Sequence, residues 1–398
     1  MGGKKMKIKE VEVIPLLVPD AELIRSACVV RLYTDEGIVG IGEVDAPSLV
    51  VQAIVKTKEF QRSASEPLGG ACGLEMSIVG EDPTKIEHLW QKMYQDTFLY
   101  GRGGAVMVAM TGIDMALWDI AGKVQGKPIC EILSGNFNVV GWSKEVKSKV
   151  KPYATVYLSG KTTEEVEKNF RDVVKSGFEA AKLESEIDGF GLKDVETDIS
   201  LVEVARKTLG DRRDLIIDAQ YCWTNFYRAL KIARKLVDYN VFFLEAPFPP
   251  DCLEAYARLS QAIDTLVSCG DGGDTTRRNF LDLIERAKVG VVQPSIVRAG
   301  GITGVLRIAE LAFERGVLCI PHCWARKIGV AAETHLAAVV PNMPYIEYPF
   351  PIPPSPLLSE LVEPSLLPKN GLINVPKSPG LGIKLNERII EKYRVDAF

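Results

Sequence analysis

Histidine is scarce in this 398-residue chain, which contains three: His88, His322 and His335. A mechanism that needs two histidines would therefore use almost all of them.

The chain also lacks long blocks of like charge, and its 48 Lys and Arg against 52 Asp and Glu give a net charge of −4. We therefore expect no binding to nucleic acid or to a membrane surface. The longest uncharged apolar stretches, 103–113 and 337–346, are shorter than the roughly 18 residues of a membrane span. The first residues also lack the apolar core of a signal peptide.

The eight cysteines show no Cys-x-x-Cys pair and no regular spacing. In a long chain this pattern is typical of reduced, buried thiols, and it predicts a cytoplasmic protein. With 46% hydrophobic and 25% charged residues, the composition is that of a globular protein of one large domain or two ordinary ones.

The first part of the chain predicts an antiparallel sheet followed by helices. Three β-rich runs come first: Ile8–Val18, Ala27–Thr34 and Ile38–Glu43. Residues 62–74 are small or turn-forming and predict a long loop, whereas apolar residues in 83–133 recur at helical spacing.

Beyond about residue 150, short apolar runs alternate with amphipathic stretches. We count eight runs: Tyr153–Leu158, Ala180–Glu184, Leu215–Asp218, Val241–Glu245, Leu266–Gly270, Val289–Gln293, Val317–Pro321 and Tyr345–Tyr348. This repeat predicts an α/β fold with a (β/α)₈ barrel. A doubly wound open sheet is the alternative, but no Gly-x-Gly-x-x-Gly follows the first run. The predicted domains are 1–145, 146–350 and a tail, 351–398, that begins in a proline-rich segment.

Active sites of such barrels lie at the C-terminal ends of the strands. The residues expected there are Lys182, Glu184, Asp218, Glu245, Asp271, Ser295, His322 and Glu347. Asp218, Glu245 and Asp271 follow one another at intervals of 27 and 26 residues, one βα unit each.

Three carboxylates that converge in an apolar barrel repel one another unless a cation compensates. Oxygen-only ligands favour Mg²⁺, with Mn²⁺ as the second choice. The alternative is that these acids cap helices or pair with Lys and Arg.

The motifs around these residues resemble the mandelate racemase and muconate-lactonizing branch of the enolase superfamily. The matching segments are Leu215-Ile-Ile-Asp-Ala-Gln220, Phe243-Leu-Glu-Ala-Pro247, Gly270-Asp271, Val292-Gln-Pro294, Ala299-Gly-Gly301, Ile320-Pro-His322, the helical Gly112–Lys123 segment and Ser378–Gly382 near the end. The resemblance implies a TIM-type barrel with an α+β cap domain formed by the N-terminal region and the C-terminal tail.

The resemblance also implies chemistry. Members bind Mg²⁺ through three strand-end acids, here Asp218, Glu245 and Asp271, and remove the proton α to a carboxylate. This chain departs from the family pattern at three places. The usual Lys-x-Lys reads Lys182-Leu-Glu184, the third metal ligand is Asp271 instead of Glu, with Asp274 as a possible substitute, and an Asp that orients the histidine is Ser295.

These departures leave several roles open. The candidate catalytic residues are Lys182, Tyr221 and His322, and the candidate substrate-binding residues are Glu184, Glu347 and Arg25. Lys182 could pair with Glu184 and stay protonated, and Glu347 could instead pair with Arg326 or Lys327. His88 and His335 lie in predicted helices and are interpreted as structural.

We expect a homo-oligomeric enzyme that acts on a small carboxylate, most simply an acid-sugar dehydratase that eliminates water. The alternatives are a racemase or epimerase, a cycloisomerase, and a family member that binds metal without catalysis. A single histidine at a strand end suits elimination better than a symmetric two-base racemisation.

Overall fold

The computed structural model describes residues 6–21, 24–58, 72–136, 142, 144–157, 162–184, 195–324 and 327–396. The chain begins with an antiparallel sheet in the order β1-β2-β3, formed by β1 (Ile8–Leu17), β2 (Ser26–Thr34) and β3 (Val39–Val44). These strands match the predicted runs closely. Most of the predicted loop 62–74 lies outside the described residues.

Five helices follow this sheet: α1 (Ser48–Lys56), α2 (Leu74–Ile78), α3 (Ile86–Asp96), α4 (Ala105–Gln125) and α5 (Ile129–Asn136). Helix α4 is long and apolar enough to cross a membrane, yet 94% of its apolar window is buried inside the protein. It packs closely on β3, because a Cβ at Gly42 would lie 2.0 Å from the carbonyl oxygen of Gly112. Helix α4 is therefore the central core helix of the N-terminal part.

After the short strand β4 (Lys149–Val150), eight parallel strands form a curled sheet in the order β11-β10-β9-β8-β7-β6-β5-β12. They are β5 (Pro152–Tyr157), β6 (Ala180–Glu184), β7 (Asp214–Asp218), β8 (Val241–Glu245), β9 (Leu266–Cys269), β10 (Val291–Val292), β11 (Leu318–Cys319) and β12 (Ile346–Pro349). The intervening helices are α6 (Thr163–Lys175), α7 (Val195–Leu209), α8 (Phe226–Val237), α9 (Leu253–Ser260), α10 (Arg277–Glu285), α11 (Gly301–Phe313) and α12 (Lys327–Ala337). This is the predicted (β/α)₈ barrel of the TIM type.

The barrel interior is layered. One buried cluster at the N-terminal side is built from Tyr153, Ala180, Ile216, Phe243, Val291, Ile320 and Tyr345. Two residues further along several of these strands, the inward positions carry Lys182, Asp218, Glu245, His322 and Glu347. Because side chains alternate along a strand, an apolar plug fills one end of the barrel and polar groups fill the other.

The C-terminal segment returns to the N-terminal part. It contains α13 (Pro356–Ser359), β13 (Val362–Glu363), β14 (Ile373–Asn374), β15 (Lys384–Leu385) and α14 (Glu387–Tyr393). Leu16 forms a β-bridge with Arg394, and the backbone N–H of Leu381 donates to Asp119 of α4 (2.9 Å). Between β3 and the barrel, Glu43 accepts hydrogen bonds from the backbone N–H groups of Ile328 and Gly329 in the first turn of α12, at 2.9 and 3.2 Å. This contact ties β3 to the helix that precedes the last barrel strand.

Candidate active site

A cavity of about 360 Å³ opens at the C-terminal ends of the barrel strands. It is lined by Ile24, Asp45, Lys182, Glu184, Asp218, Gln220, Tyr221, Glu245, Asp271, Arg298, His322, Trp324 and Glu347. A larger cavity of about 550 Å³, between α3, α4, α10 and α11, contains none of the strand-end acids. The smaller cavity is therefore lined by the residues predicted for the site, apart from Ser295, Arg25 and Asp274.

Lys182 is the cationic centre of this cavity. Its ammonium lies 2.8 Å from Glu245 Oε1, 2.9 Å from Glu347 Oε1 and 3.4 Å from Asp218 Oδ2, with the side chain 3% exposed. Burial alone would lower the pKa of Lys182, but Glu245 and Glu347 reverse this effect and hold that pKa well above its ordinary value. In this arrangement Lys182 is held as a positively charged ammonium.

Lys182 does not form the ion pair with Glu184 that the sequence left open. Glu184 lies two residues further along β6, where it accepts a hydrogen bond from Gln220 Nε2 (2.8 Å). Burial raises the pKa of Glu184 to about 7, with Lys182 opposing the rise and Asp218 adding to it. Glu184 and Gln220 together give the cavity both hydrogen-bond acceptors and donors.

Both carboxylate oxygens of Glu347 accept hydrogen bonds from the protein. Its Oε1 accepts from Thr155 Oγ1 (2.7 Å) and Lys182, and its Oε2 accepts from the backbone N–H of Cys323 (3.1 Å). Burial would raise the pKa of Glu347, but Lys182 and then His322 outweigh it and lower that pKa to about 2. The predicted alternative pairing with Lys327 is wrong, because the Lys327 ammonium donates to the hydroxyl of Tyr348 (2.9 Å); Arg326 lies outside the described residues.

His322 is the histidine of the cavity. Its Nε2 lies 3.6 Å from Glu347 Oε2, and its side chain is 15% exposed. Nδ1 is buried without a hydrogen-bond partner, as is the hydroxyl of Ser295, although the two residues form a β-bridge. The carboxylate beside the imidazole thus comes from β12, not from the position of Ser295.

Tyr221 stands against Asp271, to which its hydroxyl donates a hydrogen bond. Burial and the adjacent carboxylate raise the pKa of Tyr221 well above its ordinary value.

Three residues after β7 and β8 have left-handed φ angles: Gln220 (48°), Tyr221 (62°) and Ala246 (47°). This strain is costly for non-glycine residues and is typical of functional sites. The backbone N–H groups of Ala219 and Tyr221 donate to the carbonyls of Glu245 and Ala246, at 2.9 and 2.6 Å, and these hydrogen bonds hold the two strained turns together.

The other histidines and two further candidates lie elsewhere. His335 is buried between the Cys130 N–H and the Leu381 carbonyl, and burial lowers its pKa to about 4. His88 is exposed on α3. Arg25 Nε donates to the carbonyl of Ala21 (2.8 Å), and Arg25 does not line the cavity. Asp274 is also outside the lining, with Oδ2 buried and unpartnered.

Sequence reasoning missed part of the cavity wall. Asp45 follows β3, Arg298 precedes α11 and Trp324 follows the histidine, and all three line the cavity. Arg298 directly precedes the matching segment Ala299–Gly301, which was the available signal, and Gln220 ends the matching segment that begins at Leu215. Nothing in the local pattern marks Asp45.

The acids can be tested as metal ligands. Among the described residues, no group of three Asp, Glu, His or Cys side chains is already arranged around a metal position. Lys182 lies among the carboxylates, and Tyr221 holds Asp271. The donor set nevertheless fits Mg²⁺: the ligand atoms are all oxygens, and Glu245 Oε2 is buried without a partner. Burial and repulsion from neighbouring carboxylates raise the pKa values of Asp218 and Glu245, even though Lys182 opposes the rise.

The fold and site define an α/β-barrel enzyme whose strand-end acids face a polar cavity. The chain belongs to the mandelate racemase and muconate-lactonizing enzyme family of the enolase superfamily. Residues 23–134 match the mandelate racemase / muconate lactonizing enzyme N-terminal domain, and residues 165–389 match the enolase C-terminal domain-like model. Members of this superfamily are generally Mg²⁺-dependent.

Individual relatives point to related reactions. The chain is 30% identical to arabinonate dehydratase of Saccharolobus solfataricus, over 92% of this chain and 89% of the relative. It is 28% identical to D-galactarolactone cycloisomerase of Agrobacterium fabrum, over 93% and 92%. The structure is similar to that of 3,6-anhydro-D-galactonate cycloisomerase from Zobellia galactanivorans, with a TM-score of 0.80, 28% identity and coverage of 98% and 100%.

Proposed function

We propose that this protein is a Mg²⁺-dependent acid-sugar dehydratase that works in the cytoplasm as a homo-oligomer. The observation that carries the proposal is the commitment of Lys182 to three carboxylates. Tyr221 is committed to Asp271. Of the three predicted catalytic residues, His322 is therefore our candidate for the proton transfer to and from the substrate. The dehydratases among the relatives support the same reaction class.

Asp218, Glu245 and Asp271 would hold Mg²⁺, which supplies the positive charge that a carboxylate needs when its α-carbon loses a proton. Lys182 adds a second positive charge at the base of the cavity. Glu184, Gln220 and Glu347 offer hydrogen bonds to the hydroxyl groups of the substrate. Arg25 remains a predicted substrate-binding residue.

In the proposed reaction His322 takes the proton from the α-carbon. The electron pair of that C–H bond forms the new C=C bond, and the β-C–O bond breaks. The same imidazole then delivers its proton to the departing hydroxyl, so that water leaves and the enol product becomes a 2-keto acid. One group takes and returns the proton, so hydrogen and hydroxyl should leave from the same face of the substrate.

A panel of acid sugars incubated with Mg²⁺ in deuterium oxide tests the reaction. A 2-keto acid supports dehydration. Deuterium in recovered or isomerised acid without keto acid would instead establish an epimerase or cycloisomerase. Ligand binding with no exchange for any acid would establish a non-catalytic protein. His322→Asn should abolish keto-acid formation, whereas the matched variant His88→Asn on the exposed face of α3 should retain it.

The metal assignment has a separate test. Glu245→Gln should abolish Mg²⁺ binding measured by calorimetry, because it removes a charged ligand at the centre of the acid cluster. Glu179→Gln, at an exposed carboxylate outside the barrel, is the matched control. Unchanged affinity in Glu245→Gln would refute the assignment of all three ligands.

A further inference from the structure

The wall of the cavity nearest to β3 carries a charge pair that joins the N-terminal sheet to the barrel. Arg298 forms an ion pair with Asp45 and donates from its other guanidinium nitrogen to the carbonyl of Asp271 (2.7 Å). The backbone N–H of Asp45 also donates to the carbonyl of Val297 (3.2 Å). The two side chains are 28% and 18% exposed, so the pair lies partly buried in the cavity wall.

The pair matters because of the charges around it. Six of the lining residues are acidic: Asp45, Glu184, Asp218, Glu245, Asp271 and Glu347. Two are permanent cations, Lys182 and Arg298, and each is already bound to carboxylates. Among the described lining residues, no cation is therefore left to receive a second carboxylate of a substrate.

We infer that Asp45, by neutralising Arg298, makes this site selective for polyhydroxy acids with one carboxylate over the corresponding dicarboxylic acids. The inference rests on the proposed function and names its substrate class. One carboxylate can be compensated by the metal and Lys182, whereas a distal carboxylate would meet Asp45 and Glu184 in a cavity that six acidic side chains already line. Distal hydroxyl groups, in contrast, find acceptors in those carboxylates and a donor in Gln220.

The test uses pairs of acids that differ in the second carboxylate alone: gluconate with glucarate, and galactonate with galactarate. In the pair that it accepts, the wild-type protein should prefer the monoacid by at least about 100-fold in kcat/KM. Asp45→Asn keeps the size and a hydrogen-bond acceptor but releases the charge of Arg298. It should shift the ratio toward the diacid by about 30-fold or more.

Two further variants make the result specific. Glu87→Gln breaks the Glu87–Arg307 ion pair, which also joins α3 to the barrel helix α11 but does not line this cavity; it should leave the ratio unchanged. Arg298→Gln removes the cation and should move the ratio further toward the monoacid. This variant keeps the inference testable if Asp45→Asn does not fold.

The outcomes separate the inference from the proposed function. A wild-type preference for the diacid, or equal shifts in Asp45→Asn and Glu87→Gln, would overturn the inference while dehydration stands. If no acid is turned over, calorimetric binding of the same four acids with Mg²⁺ measures the preference directly. In that case the proposed reaction fails, and the selectivity is judged from the ratio of Kd values.

Discussion

Replacing Lys182 by Met tests whether one buried ammonium holds the strand-end acids together. The ammonium pairs with Glu245, Glu347 and Asp218 at 2.8, 2.9 and 3.4 Å. Removing one partner of a buried ion pair and leaving the others uncompensated costs about 3–5 kcal/mol. Met retains most of the side-chain volume, so the loss reports the charge and not a cavity. We expect a loss of about 4 kcal/mol near pH 8 without Mg²⁺.

The pH dependence of this loss has a definite sign. In the wild type Lys182 lowers the pKa of Glu347 to about 2, below the ordinary value of 4.5. This stabilisation is fully present above pH 4.5 and is lost as the pH falls toward 2. In Lys182→Met the acids can take up protons as the pH falls, so the deficit relative to wild type should shrink from about pH 8 to about pH 5. Millimolar Mg²⁺ should also reduce the deficit, because it supplies a replacement cation to the same carboxylates.

Urea unfolding followed by tryptophan fluorescence measures these differences at both pH values, with and without Mg²⁺. Lys151→Met is the matched control: Lys151 lies 2.6 Å from Glu179, but the two side chains are 48% and 56% exposed. Its loss should stay below about 1 kcal/mol and should not respond to Mg²⁺. If Lys182→Met unfolds at the same urea concentration as the wild type near pH 8 without metal, the ammonium does not compensate the acid cluster.

Three further predictions concern the parts that support the site. Gly42→Ala should cost about 3 kcal/mol in urea unfolding, because its Cβ would meet the Gly112 carbonyl at 2.0 Å. Gly135→Ala, where nothing lies within 4 Å, should be neutral or stabilising. Glu43→Gln should cost about 2 kcal/mol and speed hydrogen exchange in the first turn of α12, since it weakens two charge-assisted hydrogen bonds. For His335, burial lowers the pKa from 6.5 to about 4. Below pH 6.5 His335 therefore binds a proton in the unfolded chain but not in the folded protein, and the free energy of unfolding falls by up to about 3 kcal/mol toward pH 4. His335→Gln should lack this part of the decline.

The barrel could be predicted because parallel strands covered on both faces leave continuous apolar runs in the sequence. Ala180–Glu184 and Val241–Glu245 were predicted with their observed bounds. The runs at 289–293 and 317–321 were predicted longer than the observed Val291–Val292 and Leu318–Cys319. Burial extends beyond the regular ladder there, since Gln293 N still donates to the Cys269 carbonyl (3.0 Å) outside the assigned strand. The length of an apolar run in the sequence indicates how many residues are buried, whereas the bounds of a strand depend on its regular backbone hydrogen bonds.

Partners across the cavity were harder to predict than the positions that face it. Residues 182 and 184 both point into the barrel, but successive inward positions of one strand are about 7 Å apart along its axis. The ammonium of Lys182 therefore pairs with acids from other strands instead of with Glu184. Asp45 and Arg298 are 253 positions apart, and no periodic pattern relates a residue after an N-terminal strand to a barrel loop. Such pairs depend on how the cap region sits on the barrel, which local sequence does not encode.

The scarcity of histidine acquires a physical meaning from these contacts. His335 is held neutral in the core and His88 lies on an exposed helix, so His322 alone among the three faces the cavity. Its neighbour Glu347 is kept ionised by Lys182, so a fixed negative charge lies 3.6 Å from His322 Nε2. In the proposed proton transfer Lys182 acts without exchanging a proton itself, because it fixes the charge of Glu347 beside the imidazole. The proposed elimination does not require a second histidine, because the proton that His322 would remove is the one that the departing hydroxyl needs.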